Sequence, residues 1–544
     1  MAHGSPFRPH GPDNQVTRGL SKPEPMLRLA RRSLAAVRHF SAAAVAEAPK
    51  APPPPHPGAI AAARKSSGGG RDTLGRRLLS LVYTKRSAVI AIRMWKEEGH
   101  VVRKYELNRI VRELRKLKRY KHALEVCEWM TLQQDIKLLE GDYAVHLDLI
   151  AKIRGINSAE KFFEDLPDKM KGQPTCTSLL HIYVQHKDSS KAESLMKKMS
   201  ECGFLKCPLP FNHMMSLYIS NRQFDRFTET LHELKKHTSP DIVTYNLWLT
   251  ACNSQGDLMN AEKIFLELKK AKLNPDWVTF SLLTSIYIKS SRFEDALLSV
   301  KEMEKQVCKK ARVAYSSIIS LYTGLGRKED VNRVWKKMKS SFRKLNDSEY
   351  NCMISSLIKL NELKEAEDIY TEWESVSVTG DSRVSNLLLA AYINNKKMKM
   401  AEMFFERRMV GKGIVPSYTS WELFTYGYLQ EKQTDKVLEC FKKAIGSVKK
   451  WDPDMKIVQE VYGLLEENGD VEGAEELLAR LRDAGFVSTE LYNLLLKVYV
   501  KAGKMPLIVG ERMKKDKVLL DEETRQLIKV TSQMCVSEVS THLS

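Results

Sequence analysis

Hydrophobic and polar residues follow the period of amphipathic helices along most of the chain, and residues 242–276 show the pattern most clearly. Between 258 and 270, apolar residues recur at three- and four-residue spacing on one helical face: Leu258, Ala261, Ile264, Phe265 and Leu268. An earlier helix carries Val243, Leu247 and Leu249. Between the two helices, Gly256 suits a turn and Asp257 suits an N-cap. The pattern therefore predicts a helical hairpin that ends at Pro275.

The same hairpin recurs every 35 residues, because the segment Asp241–Asn246 (DIVTYN) returns as Asp276–Ser281 (DWVTFS). Two further columns keep this register in the second helix. One contains Ala261, Ala296, Val331, Ala366 and Ala401, and the other contains Leu268, Met303, Met338 and Trp373. Since a lone hairpin cannot bury its apolar face, neighbouring units must stack into a solenoid.

The period predicts an all-α protein with about twelve helix-turn-helix repeats in residues 104–521 and no strands. The units begin at residues 104, 140, 173, 208, 242, 277, 312, 347, 382, 418, 455 and 489. Residues 71–103 are predicted to form one or two irregular basic helices. Residues 522–544 are predicted to form a capping helix to about 531, followed by a loose tail.

The net charge of the chain is positive and concentrated near the N-terminus. Lys and Arg number 87 against 67 Asp and Glu, which gives +20. Residues 1–103 carry 18 basic and 6 acidic residues, or +12, so the other 441 residues carry only +8. A basic chain favours a polyanionic partner.

The N-terminal segment is typical of a mitochondrial presequence, because MLRLARRSLAAVRHFSAAA, starting at Met26, has four arginines among apolar residues. No acidic residue follows before Glu47, and RHFS at 38–41 resembles a matrix-processing site with cleavage after Phe40. The prediction is a presequence at 1–40 and a mature protein in the mitochondrial matrix. The alternatives are a disordered basic tail and, more weakly, a chloroplast transit peptide.

Several other classes of protein and site are disfavoured. Residues 41–70, rich in Pro and Gly, predict a disordered linker and not a folded domain. The nine cysteines include no C-x-x-C pair, and the histidines lack metal-ligand spacing. No apolar run reaches the roughly 18 residues of a membrane span, and the H-x-E and C-x-x-C deaminase signature is absent. The sequence therefore predicts no enzyme activity, cofactor, metal site or membrane insertion. Five tryptophans on helical faces are predicted to serve packing: Trp129, Trp248, Trp335, Trp373 and Trp421.

Units of this length also occur in tetratricopeptide repeats, but the W-x-x-L-G-x-x-Y pattern is absent. VTYN at 243–246, VTFS at 278–281, an early Ala in the second helix and Pro-Asp at the unit end resemble pentatricopeptide repeats of the regular P-type found in plant organelles. The resemblance covers roughly residues 72–531, and residues 72–130 resemble a mitochondrial branch of the family. It implies a right-handed solenoid that binds single-stranded organellar RNA at one base per repeat.

The resemblance assigns base recognition to the fifth and last residues of each unit, and base packing to the second. The pairs are Asn212 with Asp241, Asn246 with Asp276, Ser281 with Ala311, Ser316 with Asn346, Asn351 with Asp381, Asn386 with Ser417 and Asn493 with Asp521. The base-packing residues are Val243, Val278 and Val313. The family's pairing rule gives a preference near U-U-any-A-U-pyrimidine, with the 5′ end toward the N-terminal units.

Alternatives remain for both the site and the function. Short polar residues at helix starts are common N-caps, and the pairing fails in the outer units: Ala144 with Gly172, Thr177 with Cys207, Glu422 with Asp454 and Gln459 with Ser488. The readable footprint is therefore about six bases. One function is RNA binding in transcript processing, stability, splicing or translation. The other is a structural role on the mitoribosome, which the basic run from Arg112 to Lys121 keeps open, and a purely protein-binding scaffold is the third. The oligomeric state is left open.

Overall fold

The computed structural model describes residues 72–81, 87–308, 311–448 and 454–541, with side chains through residue 533. Within these ranges the regular structure consists of 27 α-helices and short 3-10 and π turns, without strands. None of the described helices is both long and apolar enough to cross a bilayer. The predicted presequence, its cleavage site and the linker lie outside the described residues.

The helices form twelve pairs, which confirms the predicted helix-turn-helix repeats. The first helices are Lys104–Lys116, Glu140–Arg154, Gln173–Gln185, Pro208–Ser220, Ile242–Gln255, Trp277–Lys289, Arg312–Gly324, Asp347–Lys359, Ser382–Asn394, Tyr418–Gln430, Met455–Asn468 and Thr489–Ala502. The second helices are Tyr120–Thr131, Ile156–Glu164, Ser189–Glu201, Phe224–His237, Leu258–Lys270, Phe293–Gln306, Lys328–Ser341, Leu363–Val376, Met398–Phe404, Thr434–Gly446, Val471–Asp483 and Val509–Lys515. Each first helix begins at the residue where the sequence period places the start of a unit.

Three helices flank the pairs. Leu74–Leu79 and Ala88–Glu97 precede them, and Glu522–Thr541 follows. The last helix continues beyond the cap predicted to end near 531, because no Gly or Pro interrupts the sequence as far as Thr541.

The core lies at the contacts between helices, where the periodic columns predicted it. Ala261, Ala296, Val331, Ala366 and Ala401 are fully buried, as are Leu268, Met303, Met338 and Trp373. Trp129 and Trp335 are also buried, while Trp248 and Trp421 are half-buried. These positions agree with the packing role predicted for the tryptophans. Four of the five residues in the first column are alanines, whose small side chains let neighbouring helices approach closely. We call this column the packing seam of the solenoid.

Turns and local insertions keep the repeats in register. Gly256 has φ +77° after the helix Ile242–Gln255, and the Asp257 carboxylate caps the next helix by accepting from the Asn260 N–H at 3.0 Å. The unit at 382–417 has one residue more than the 35-residue period, and its second helix ends in a π-helical turn, Phe405–Met409. A π turn accommodates an extra residue without breaking the helix.

Hydrogen bonds between tyrosines and glutamates join successive repeats. The Tyr392, Tyr428 and Tyr499 hydroxyls each donate to a glutamate on the second helix of the preceding repeat. The distances are 2.7 Å to Glu367, 2.6 Å to Glu402 and 2.8 Å to Glu475. The bond from Tyr428 holds the pKa of Glu402 below its usual value, and burial raises the pKa of Tyr499 to about 12. These bonds fix how one repeat is placed on the next.

Candidate nucleic-acid interface

The predicted site residues meet at the junctions between successive first helices. From the unit at 140 onward, each first helix packs against the first helix of the next unit. The fifth residue of a unit lies one turn into its first helix, and the last residue lies just before the next one. The two columns predicted from the sequence are therefore neighbours in space and not only in register.

At the junction after residue 241, three side chains form a closed hydrogen-bonded group. The Asn212 Nδ2 donates to Asp241 Oδ1 at 3.1 Å, and the Thr244 hydroxyl donates to Asn212 Oδ1 at 2.8 Å. The Asp241 carboxylate also accepts from the Thr244 backbone N–H at 2.8 Å. Thr244 is the third residue of the unit that follows Asn212. We call this arrangement of fifth residue, last residue and following third residue the junction triad.

The junction triad recurs in three more units. Asn246 donates to Asp276 at 3.2 Å and accepts from Thr279 at 2.7 Å. Asn386 donates to the Ser417 hydroxyl at 3.2 Å and accepts from Ser420 at 2.7 Å. Asn493 donates to Asp521 at 3.1 Å and accepts from Thr524 at 2.7 Å. Four of the seven predicted pairs are thus joined by a direct hydrogen bond.

The chemistry of the partners fixes the orientation of the asparagine amide. A carboxylate can only accept hydrogen bonds, so Nδ2 of Asn212 and Asn246 must face Asp241 and Asp276. The amide oxygen then faces the threonine hydroxyl. Each amide keeps one unused N–H and one unused lone pair. Asn493 differs, because its Nδ2 also donates to Glu523 at 3.1 Å and has no N–H left.

The last residues of the units are N-caps as well as partners of asparagine. Asp241, Asp276 and Ser417 form capping boxes with the third residue of the following helix. The backbone N–H of Thr524 donates to Asp521 and holds the pKa of this carboxyl below its usual value. Capping, the alternative interpretation of these residues, is therefore correct for them. It does not exclude recognition, since the Oδ1 atoms of Asp241 and Asp276 accept from the asparagine amide as well as from the capped backbone N–H.

Three predicted pairs are not joined in this way. Ala311 offers no polar side chain to Ser281, and Asn346 caps its own helix by accepting from the Glu349 N–H at 3.3 Å. The Asn351 Oδ1 is buried and has no hydrogen-bond partner. Its predicted partner Asp381 binds the Arg383 guanidinium instead, at 2.5 Å.

The predicted base-packing residues Val243, Val278 and Val313 are half-buried on the first helices, next to the asparagine and serine column. Only 4% of Asn212 and 8% of Asn246 is solvent-exposed. A ligand would therefore reach only a small part of each amide.

Sequence reasoning missed two features of the junctions. The first is the third-residue hydroxyl of Thr244, Thr279, Ser420 and Thr524. The second is Asn108, a fifth residue that donates to Asp142 at 2.9 Å. Asp142 is a third residue, so here the amide nitrogen and not the oxygen faces that position. Both features could be found by reading the fifth residue together with the third residue of the next unit.

Histidines and part of the basic run near the first helices take part in packing and pairing. The rings of His181 and His213 lie 4.7 Å apart, and burial lowers the pKa of His213 to about 4, so the side chain is neutral at pH 7. Among the described residues, no three metal-ligating side chains are grouped. In the basic run, Arg115 pairs with Asp148 at 2.7 Å, and Arg119 donates to the Leu79 carbonyl.

The fold and the junctions define a class: an α-solenoid of paired-helix repeats with a recurring amide, carboxylate and hydroxyl group between units. The sequence model of the pentatricopeptide repeat domain matches residues 209–252 and 237–290. The model of the single pentatricopeptide repeat matches residues 174–204, 313–341 and 350–378.

Curated relatives are similar over most of their length. The pentatricopeptide repeat-containing protein At4g02820, mitochondrial, of Arabidopsis thaliana is 69% identical over 475 residues, which cover 87% of this chain and 89% of that protein. The Arabidopsis thaliana protein At2g20710, mitochondrial, with the same description, is 33% identical and covers 84% of this chain and 92% of its own. The chain belongs to the pentatricopeptide repeat family. This assignment supports a non-enzymatic binding protein, and the P-type subclass stays a prediction.

Solved structures with the same description are more distant. The crystal structure of the pentatricopeptide repeat protein PPR10 from maize has a TM-score of 0.41 and 17% identity, and covers 85% of this chain and 70% of that one. The structure of PPR10 in complex with an 18-nt psaJ RNA element has a TM-score of 0.43 and 15% identity, and covers 83% of this chain and 77% of that one.

Proposed function

We propose that this protein binds single-stranded RNA with base selectivity along the first helices of units 208–417. The observation that carries the proposal is the amide of Asn212 and Asn246, which is held in one orientation and keeps a donor and an acceptor unused. These two amides are one repeat apart, which matches the one-base-per-repeat binding of the family. In the units at 242, 277 and 312, the valine at the second position offers apolar surface for a base face.

The proposed sequence preference is U-U-any-A-U-pyrimidine, read in order by the six units from 208 to 417. Its direction, with the 5′ end toward the N-terminal units, and its pairing rule come from the family resemblance. The structure supports base discrimination best at the first two positions, where the asparagine faces an aspartate and a threonine.

The second base gives the sharpest test, because it is assigned to the complete junction triad of Asn246. We expect Asn246→Ala to weaken binding by about 1–3 kcal/mol for uracil at this base, since one directed contact is lost. Changing Asn246 to Ser together with Asp276 to Asn should move the preference at this base toward adenine. Titrations with four RNA oligomers that differ only at this base measure both effects.

Asn260→Ala is the matched control, because Asn260 is exposed on the second helix of the same unit and binds only Asp257. Its four affinities should equal those of the wild type. An identical base ranking in the wild type and in the Ser and Asn swap would mean that the asparagine column only connects helices. The scaffold or ribosomal role would then be the better proposal.

We further propose that the protein acts in mitochondria. Support comes from the Arg-rich segment after Met26 and from the relatives whose names include the word mitochondrial. The expected mature N-terminus is at or near Ser41, which lowers the net charge from +20 to +15 because residues 1–40 carry 7 basic and 2 acidic residues. N-terminal sequencing of protein purified from the organelle checks this, and a start at residue 1 in cytosolic protein would contradict it.

The proposed role is in transcript processing, stability, splicing or translation. The alternative, a structural role on the mitoribosome, is favoured by the basic helix Lys104–Lys116, on which Arg109 and Arg112 are exposed. Gradient sedimentation of organelle extracts distinguishes the two. A ribosomal protein co-sediments with a subunit, whereas a transcript-specific factor yields a short crosslinked footprint near the predicted sequence.

A further inference from the structure

In all four junction triads, the asparagine binds a hydroxyl of the following repeat that lies outside the two columns of the pairing rule. In the four junction triads this hydroxyl belongs to Thr244, Thr279, Ser420 or Thr524, at 2.7–2.8 Å from the amide oxygen. All four side chains are buried. The Thr244 and Thr279 hydroxyls also lie 2.9 Å from the Asp241 and Asp276 carboxylates. Because a hydroxyl can donate or accept whereas a carboxylate only accepts, the carboxylate opposes the flipped amide. The hydroxyl supplies the donor without which the buried amide oxygen would lose hydrogen-bonding free energy in the favoured orientation.

The unit at 347–381 has the predicted asparagine and aspartate but is followed by a third residue without a hydroxyl. Asn351 and Asp381 satisfy the pairing rule as well as Asn246 and Asp276 do. The third residue of the next unit, however, is the fully buried Val384, which has no hydroxyl. The Asn351 Oδ1 has no hydrogen-bond partner, and Asp381 is bound by the guanidinium of Arg383.

We propose that the hydroxyl-bearing third residue of a unit is a positioning residue. It orients the asparagine of the preceding repeat, and this orientation makes that asparagine selective for a base. This inference rests on the proposed RNA-binding function. It assigns this role to Thr244 and Thr279 for the first and second bases, where the residue on the other side of the amide is an aspartate. It also assigns no selectivity to Asn351 at the fifth base, although the pairing rule predicts uracil there.

The physical reason is that the two ends of an asparagine amide differ in chemistry but hardly in shape. A flip about the last side-chain bond exchanges the N–H and the carbonyl that face the base. With a hydroxyl on one side and a carboxylate on the other, a flip would bring two acceptors together. Asn351 lacks the hydroxyl, and Asp381, the carboxylate assigned to it, is bound by the Arg383 guanidinium. Both amide orientations can therefore meet a base, and neither base edge is preferred.

Two variants of the full mature chain test the two halves of this inference. Thr279→Val removes only the hydroxyl and keeps the buried volume, and Thr279→Ser restores a hydroxyl. The double variant Arg383→Val with Val384→Thr changes the junction that follows Asn351, which is assigned to the fifth base. Together with Asp381, the new residues reproduce the arrangement of Asp241, Val243 and Thr244. Each protein is titrated with oligomers that vary only at base two or only at base five.

For the wild type we expect uracil to be favoured roughly 5- to 150-fold at base two, as in a directed base contact, and less than about twofold at base five. Thr279→Val should lose most of the preference at base two and keep its profile at the other bases. Thr279→Ser should retain the preference. The double variant should gain uracil preference at base five.

Unchanged profiles at the other bases show that Thr279→Val remains folded, so the loss at base two is local. A wild-type preference at base two that survives Thr279→Val would overturn the positioning role and leave the proposed function intact. Equal uracil preference at bases two and five in the wild type would overturn it as well. A wild type without any preference at base two would instead reject the proposed function.

Discussion

Replacing Ala261 with Arg is expected to destabilise the protein by about 3–5 kcal/mol, the range found when a buried charge is left without a partner. Ala261 is fully buried on the helix Leu258–Lys270. It packs in a cluster with Tyr245, Leu249 and Leu282. A guanidinium at this position would either push the helix Leu258–Lys270 away from the helices packed against it or remain buried without water. Either outcome weakens the helix packing at the Ala261 column.

The expected effect is regional, because this cluster lies between two larger ones. The larger clusters involve residues 74–251 and residues 300–513. In repeat proteins stability is approximately a sum of units and their nearest-neighbour contacts. Ala261→Arg should therefore separate the unfolding of the N-terminal and C-terminal repeats into two transitions. Thermal circular dichroism measures the transitions, and hydrogen exchange shows where amide protection is lost.

Met259→Arg is the matched control, because Met259 is on the same helix and 66% exposed. It adds the same charge without burying it, so its transition should remain close to that of the wild type. Equal unfolding of the two variants would show that Ala261 is not part of a close helix contact. The same comparison at Ala366 would tell whether the seam extends into the C-terminal repeats.

The fold could be predicted because the repeat supplies independent copies of one pattern. A single helix with Leu258, Ala261 and Leu268 gives an ambiguous boundary, but the same residue types at 35-residue steps fix the register. The unit starts were therefore correct even at the ends of the array, where the unit length varies. The extension of the last helix to Thr541 was not predicted, since no further repeat column constrains that segment.

The junctions were only partly predictable, because they depend on which atoms meet across two units. Thr244 and Thr279 are present in the VTYN and VTFS segments, but a hydroxyl at a helix start is also explained by capping. Its bond to an asparagine 32 or 33 residues earlier requires the stacking of first helices. Asn351 has the expected partner in the sequence, yet Val384 and Arg383 change the surroundings of both side chains.

Replacing Trp373 with Ala is expected to lower the free energy of unfolding by about 3–5 kcal/mol, as for other buried aromatic residues. Trp373 is fully buried on the helix Leu363–Val376, where its ring lies 5.2 Å from that of Tyr370. Its Nε1 donates to Asp347 Oδ1 at 2.8 Å, which ties the second helix of the unit to the start of the first. The truncation removes both the packing and this tie.

Denaturant unfolding followed by circular dichroism measures the effect, with two variants for comparison. Trp373→Phe keeps a ring but loses the N–H, so it should cost only about 1–2 kcal/mol. Asp347 keeps one donor in that variant, the Thr379 hydroxyl at 2.8 Å. Trp248→Ala should also cost less than Trp373→Ala, because Trp248 is half-buried. If Trp373→Ala and Trp248→Ala proved equally destabilising, the buried column that includes Trp373 would not be the main support of its repeat.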